Sequence, residues 1–151
     1  MMSVRVQTAD FDVGAELKKL RAHNANVGAV ASFIGLVRDL NDANKVSTLT
    51  LEHYPEMTEK SLLAIEQQAK ARWDIIDSLI IHRVGTLQPL DQIVLVAVTS
   101  AHRQAAFQAC EFIMDYLKTQ APFWKKEHTA TGERWVEAKT TDDIALQRWQ
   151  P

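Results

Sequence analysis

Residues 99–127, TSAHRQAAFQACEFIMDYLKTQAPFWKKE, constrain the fold more than any other stretch of this chain. Ala106, Ala109 or Cys110, Ile113 and Leu117 recur at the spacing of one apolar helix face, which predicts a helix from about Ala101 to Thr119. Pro122 ends it, because proline has no N–H to give the helix ladder. His102 and Arg103 stand at the start of this helix and Lys118 at its end, and Lys125 and Lys126 follow just past the proline. The whole chain carries a net charge of −2, from 17 basic and 19 acidic residues. The cations of this segment are therefore a local concentration, suited to holding and activating an anion.

A near-neutral chain lacks the broad basic face that general nucleic-acid or membrane-surface binding requires, so neither is expected. Its 151 residues are enough for one domain with a proper core. With 46% hydrophobic and 24% charged residues it has the balance of a soluble globular protein, and residues 1–151 are expected to form a single domain. No apolar run approaches the ~18 residues of a membrane span. The first residues, MMSVRVQTADFD, lack the apolar centre of a signal peptide, and a cytoplasmic protein is expected. Cys110 is the one cysteine, so no internal disulfide can form.

The rest of the chain alternates strand and helix patterns. Ser3 to Thr8 reads as a strand and Asp12 to Arg21 as a helix, with Asp10 or Asp12 as its N-cap. Val27 to Val37 is almost entirely small or apolar, as in a strand buried on both faces. Asp39 to Lys45 is polar and turn-rich, and reads as a mobile loop. From Val46 to Tyr54, Leu49, Leu51 and His53 alternate with Thr48, Thr50 and Glu52, which is strand periodicity. Pro55 stops it. A helix from Thr58 puts Leu62, Ile65, Ala69 and Trp73 on one face. Ser78 to Val84 and Ile93 to Thr99 are two further buried strands, separated by Gly85 and a turn around Pro89-Leu90-Asp91. Past the long helix, Phe123 to Thr129 and Glu133 to Ala138 form a hairpin around Ala130-Thr131-Gly132, and Asp142 to Trp149 forms a last helix. The order β-α-β-β-α-β-β-α-β-β-α implies an α+β fold with a mixed, largely antiparallel sheet.

The chain has no HExxH, CxxC, GxGxxG or Walker-type phosphate loop. Its histidines, at 23, 53, 82, 102 and 128, show no metal-ligand spacing, and neither a metal nor a cofactor is expected. His53 and His82 fall within strands and read as core or edge residues. Cys110 lies on or beside an apolar helix stripe, where a thiol is buried and unreactive. The helix N-terminus at His102-Arg103 adds free N–H groups and a partial positive charge that favour phosphate or carboxylate. By sequence alone Lys118 reads first as a cation set favourably against the helix dipole, and Lys125 and Lys126 can equally line an exposed strand. Phe123-Trp124 beside them favours a pocket for a flat ligand. Arg38, at the end of an apolar strand, is a further candidate. His102 and Lys118 are sixteen residues apart. At ~1.5 Å per residue that is ~24 Å, against ~10 Å for a small metabolite. The two ends either serve different sites or share one site built from two subunits.

LTLEHYPEMTEK (Leu49 to Lys60), IHRVG (Ile81 to Gly85), VTSAHR (Val98 to Arg103), FIMDYLKTQAPFWKKE (Phe112 to Glu127) and GERWVEA (Gly132 to Ala138) together resemble the catalytic large subunit of molybdopterin synthase, in order and over essentially the whole chain. The resemblance implies an α/β-hammerhead-like fold with an added β subdomain. It implies a sulfurtransferase that converts cyclic pyranopterin monophosphate (precursor Z) to molybdopterin. The two sulfurs come from the C-terminal Gly-Gly thiocarboxylate of a small ubiquitin-like subunit. It also implies a homodimer of large subunits within a heterotetramer. By motif, Lys118 and Lys125 match the catalytic lysines. Arg38, His102, Arg103 and Lys126 match substrate-contacting positions, with Leu36, Val37 and Glu127 beside them, and His102-Arg103 would come from the other large subunit. Leu36 departs from the family, which often has a basic residue there, so only a backbone contact is carried over. Composition and spacing alone also allow a phosphate-ester-processing enzyme using the same cations, or a non-catalytic adaptor for a ubiquitin-like tail.

Overall fold

A computed structural model describes residues 3–38, 40–41, 44–129, 132–136 and 140–150. Strand β1 (Val4–Gln7) leads to helix α1 (Val13–Leu20), and β2 (Ala29–Leu36) to the short β3 (Leu40–Asn41) and the long β4 (Asn44–His53). Helix α2 (Met57–Arg72) precedes β5 (Asp77–Arg83), β6 (Gly85–Leu87) and β7 (Gln92–Ser100). Helix α3 (Arg103–Gln120), the hairpin β8 (Phe123–Thr129) and β9 (Gly132–Val136), and α4 (Thr140–Gln147) complete the described chain. The fold is α+β, as the element order implied, with two sheets.

The first sheet has the order β1-β5-β7-β2, with β1 parallel to β5 and the other pairs antiparallel. Both faces of its centre are covered, which is why β5 and β7 are continuous apolar runs. On one face Ile80, Val94, Val96 and Val98 pack against Leu62, Ile65 and Ala69 of α2 and Ala109, Phe112, Ile113 and Leu117 of α3. On the other, Leu79, Ile81, Leu95 and Ala97 meet Phe11 and Leu20 around α1. Each fully buried side chain, such as Phe112 or Ile113, contributes about 1.5–3 kcal/mol by leaving water. Asp12 caps α1 by accepting the Ala15 N–H at 3.0 Å, so Asp12 rather than Asp10 fills that role.

The second sheet is built on β4, which pairs with β8 along one side and with β3 and β6 along the other, while β9 extends it beyond β8. Leu49, Leu51, Leu87 and Val37 form its own small core. The chain crosses from the first sheet to the second between β5 and β6, at Gly85, whose φ of 93° disfavours any side chain.

Three expectations change. The run from Val27 to Val37 does not form a strand buried on both faces: β2 pairs only with β7 and leaves Val30, Phe33, Ile34 and Leu36 exposed along the sheet edge. The loop expected over Asp39 to Lys45 contains a paired strand, with Leu40 opposite Lys45 and Asn41 opposite Asn44, while Asp39, Asp42 and Ala43 lie outside the described residues. Between Val84 and the turn at Pro89, β6 adds a strand too short for periodicity to reveal. Ala138, the expected end of the hairpin, and the turn residues Ala130 and Thr131 are also outside the described residues.

Candidate functional site

Helix α3 ends at Gln120, and Ala121 turns the backbone into an extended conformation. Proline at 122 holds that direction, so β8 begins at once. This short junction carries Lys118, in the last helical turn with an exposed side chain, toward Lys125 on β8. Lys125 is half-buried and lies in register with Leu51 of β4 and Val136 of β9.

The junction between the two lysines packs on His82. This residue ends the α3-facing side of β5 and is almost completely buried. Its ring stacks on Phe123, with centroids 3.7 Å apart and planes 16° from parallel. Its Nδ1 lies 2.8 Å from the Arg83 carbonyl oxygen, which can only accept, so Nδ1 carries the ring proton. Burial first, with smaller contributions from the positive charges of Lys125 and Lys118, pulls the His82 pKa down to about 3, against the opposing effect of the hydrogen bond to the Arg83 backbone. The imidazole is therefore neutral at any physiological pH. Phe123, which stacks on this ring, stands five residues after Lys118 and two before Lys125, and its ring centroid is 6.5 Å from that of His53.

Strand alternation sorts the remaining residues of β8. Phe123, Lys125 and Glu127 share one face, and Glu127 is a fully buried carboxylate opposite Leu49. Trp124, Lys126 and His128 share the other. There the Lys126 ammonium lies 3.0 Å from Glu133 and 5.2 Å from the Trp135 ring centroid. His128 bridges Glu133 (3.1 Å) and the Thr50 hydroxyl (3.0 Å). The Lys126 ammonium, ahead of His128, holds the Glu133 carboxyl below its ordinary value. Phe123-Trp124 is thus divided: Phe123 joins the lysine site, and Trp124 packs edge-on against Tyr54 at 4.6 Å.

Val37 is buried with Leu49 and Leu51, the residues opposite Glu127 and Lys125. Its backbone is clamped to the Leu90-Asp91 turn by two hydrogen bonds, Val37 N–H to Asp91 O (3.0 Å) and Leu90 N–H to Val37 O (2.8 Å). The segment Leu36-Val37-Arg38 is thereby tied to the second sheet, with Leu36 and Arg38 exposed on either side of the Val37 anchor.

His102 and Arg103 lie at the opposite end of α3. His102 is the N-cap residue and both side chains are exposed. The backbone before them is closely packed: Gly28 N–H donates to Ser100 O (3.0 Å), and a Cβ on Gly28 would fall 2.2 Å from the Ala101 carbonyl oxygen. Helical rise keeps these cations ~24 Å from Lys118 within a chain. The structure sets Lys125 and Glu127 on one face of β8 shortly after Lys118 at the end of α3, ties Leu36 to Arg38 to the same sheet, turns Lys126 to the opposite face, and leaves His102-Arg103 apart.

Cys110 is buried, with its thiol 3.8 Å from the Val96 carbonyl oxygen, and burial, with a smaller push from Glu111, raises its pKa to about 12. Sequence reasoning missed the place of His82. It is a core residue, as its strand pattern implied, but it also touches the lysine site. The signal was present in the Ile81-to-Gly85 segment; what was missing was the register that sets Phe123 on its ring. Among the described residues no group of three or more His, Cys, Asp or Glu side chains could hold a metal ion. No described helix is long and apolar enough to cross a membrane.

Comparison with known proteins gives a consistent result. The family model described as "MoaE protein" matches residues 6–120. A molybdopterin synthase catalytic subunit from Ralstonia nicotianae is 65% identical over 149 residues, covering 99% of this chain and 85% of that protein. The structure of a molybdopterin biosynthesis MoaE protein from Burkholderia ambifaria is 57% identical and superposes with a TM-score of 0.85, covering 100% of this chain and 99% of that one. A chain from the Helicobacter pylori complex of subunits 1 and 2 of molybdopterin-converting factor shares the fold, with a TM-score of 0.75 at 18% identity over 91% of this chain and 92% of that one.

Proposed function

The chain belongs to the MoaE protein family and is a molybdopterin synthase catalytic subunit, an enzyme of molybdenum cofactor biosynthesis, and from that premise we propose how its residues divide the work. Sulfur transfer to precursor Z must bring together an anionic cyclic phosphate and an anionic sulfur donor. Cations in a partly desolvated site offset that repulsion, each charge-assisted hydrogen bond contributing about 1.5–3 kcal/mol.

The donor is the C-terminal Gly-Gly thiocarboxylate of a small ubiquitin-like subunit. The Helicobacter pylori neighbour, itself a complex of two subunits, supports a partner of this kind. The thiocarboxylate sulfur attacks a side-chain carbon of the pterin as that carbon's C–O bond breaks, the displaced oxygen leaving as water or staying on the opened phosphate, and gives an acyl–sulfur–carbon link. Water then cleaves the acyl–sulfur bond, so that the sulfur stays on the pterin and the carrier leaves as a carboxylate. A second round installs the second sulfur. Lys118 stabilises the oxyanion that forms as water adds to the acyl carbon, or moves a proton as the pterin ring opens. Lys125 adds positive charge beside it, with the buried Glu127 carboxylate as its counter-charge. Arg38 binds the phosphate, held in place by the clamped Val37 backbone, with Leu36 presenting a backbone group and Lys126 contributing from the strand's other face.

His102 and Arg103 complete the site from a second copy of the chain. The exposed apolar edge of β2 supports this reading. Ala29 at its start is beside Ser100, just before His102, and Leu36 at its end precedes Arg38. If two β2 edges meet about a two-fold axis, antiparallel, each chain's His102-Arg103 end approaches its partner's Arg38 end.

The observation that carries the proposal is the short junction between α3 and β8, which sets Lys118 in the last helical turn and Lys125 on the strand, with Phe123 between them stacked on the buried His82 ring. The direct test is to mix the protein with thiocarboxylated carrier and precursor Z and assay for dithiolene product. Product that depends on the carrier is the expected result. Turnover of an anionic ester without any carrier would overturn the proposal.

A further inference from the structure

We propose that His82 is a positioning residue of this site: a buried imidazole, anchored to the Arg83 carbonyl and stacked on Phe123, that sets how Lys118 and Lys125 stand relative to each other. The inference rests on the role given above to the two lysines and extends it to a residue with no assigned part in the reaction.

Three elements meet at this ring. His82 is near the end of β5, immediately before the chain crosses between sheets. On the side it shares with Ile80 lies the core formed with α3, including Met114 and Leu117 just before Lys118, and Phe123 packs on that same core. Phe123 is the first residue of β8, two before Lys125 and on the same face. The stack therefore sits inside the junction that links the lysines. The second face of the Phe123 neighbourhood approaches His53, at 6.5 Å between centroids. Thr58 of α2, itself buried, donates to the Pro122 carbonyl of the junction at 3.4 Å.

A polar ring in this place has a cost that a leucine would not, so its chemistry needs a reason. The Nδ1–H bond to Arg83 O fixes tautomer and orientation together. Neutrality matters because the nearby charged groups, Lys118 on α3 and Lys125 on β8, are cationic, with the His53 ring of β4 also close by. The neighbouring Arg83 guanidinium is directed elsewhere, to the Thr8 and Gln92 carbonyls and toward Asp10. A protonated ring would push the ammonium groups apart, whereas a flat neutral one lets them face a common space.

Two measurements test this. In the full-length protein with 15N-labelled histidine, His82 should show the neutral Nδ1–H tautomer without titrating between about pH 5.5 and 8.5. A midpoint inside that range would overturn the proposal. In the carrier-dependent assay, His82→Phe keeps an aromatic ring but loses the anchor, and Phe123→Leu keeps apolar volume but loses the stack. Each should lower kcat by about tenfold to a hundredfold with KM for the carrier unchanged. The limb of the pH–rate profile that reports lysine ionisation should move to higher pH, because separated ammonium groups repel each other less. The double variant should be little worse than either single one. Wild-type kcat in both variants, or a profile merely scaled down with its limbs in place, would overturn the proposal. Wild-type protein that makes no product with the carrier would instead defeat the proposed function and leave the NMR result to stand by itself.

Discussion

At the scale of single residues, the chain separates chemistry from packing by charge and burial. Lys118→Ala should fold and bind the carrier, yet lose at least ~10²-fold in rate, the scale of a positioned acid–base group. A near-normal rate in the dithiolene assay would remove Lys118 from the mechanism. Cys110 is the opposite case. Its thiol is pushed up to about 12, so thiolate accumulates only as pH nears that value. Alkylation of native protein should stay slow across pH 6–9 as followed by mass spectrometry, and Cys110→Ala should remain active. Glu66 gives a pH-dependent prediction. Desolvation raises its carboxyl pKa, against the hydrogen bonds it accepts from Ser78 (2.6 Å) and Ser3 (2.8 Å). A raised folded-state value favours the protonated form in the fold. That contribution is whole below the unfolded value and is lost as pH rises through the folded one. Glu66→Gln, which cannot ionise, should therefore raise Tm at pH 8 relative to wild type more than it does at pH 4.5.

At the scale of elements, periodicity revealed those whose environment it determines. Helix α3 shows its apolar stripe because one face meets the first sheet, and β5 and β7 read as continuous apolar runs because both their faces are covered. The same apolar composition in β2 was misleading. Sequence reports that a strand must be covered but not by what, and β2 has a neighbour on one side only. The strands β3 and β6 have two and three residues, too few for an alternation to show. In β8 the alternation was legible, but not which face would meet α3, so Lys125 and Lys126 read as one pair although they point apart. His82 was legible as a buried strand residue, while its contact with Phe123 depends on a register that only the folded chain sets. Close backbone approach gives an element-level prediction. Gly28→Ala would drive a Cβ against the Ala101 carbonyl where β2 begins beside the end of β7. The backbone must shift, costing about 1–3 kcal/mol in urea unfolding. The displaced segment immediately precedes His102, so catalytic rate should fall as well.

At the scale of the whole molecule, the length of α3 is the governing fact. Its 18 residues place one cationic pair and the two lysines too far apart for a small anion to touch both. The proposed dimer would remove this conflict, each site taking Lys118 and Lys125 from one subunit and His102 and Arg103 from the other. Mixing variants measures that claim directly. Lys118→Ala and His102→Ala proteins, each inactive or nearly so, are co-expressed in equal amounts and assayed with thiocarboxylated carrier and precursor Z. Half of the dimers would then carry one intact site of two, so the mixture should recover about a quarter of the wild-type rate. A mixture no more active than its two components would contradict the shared site.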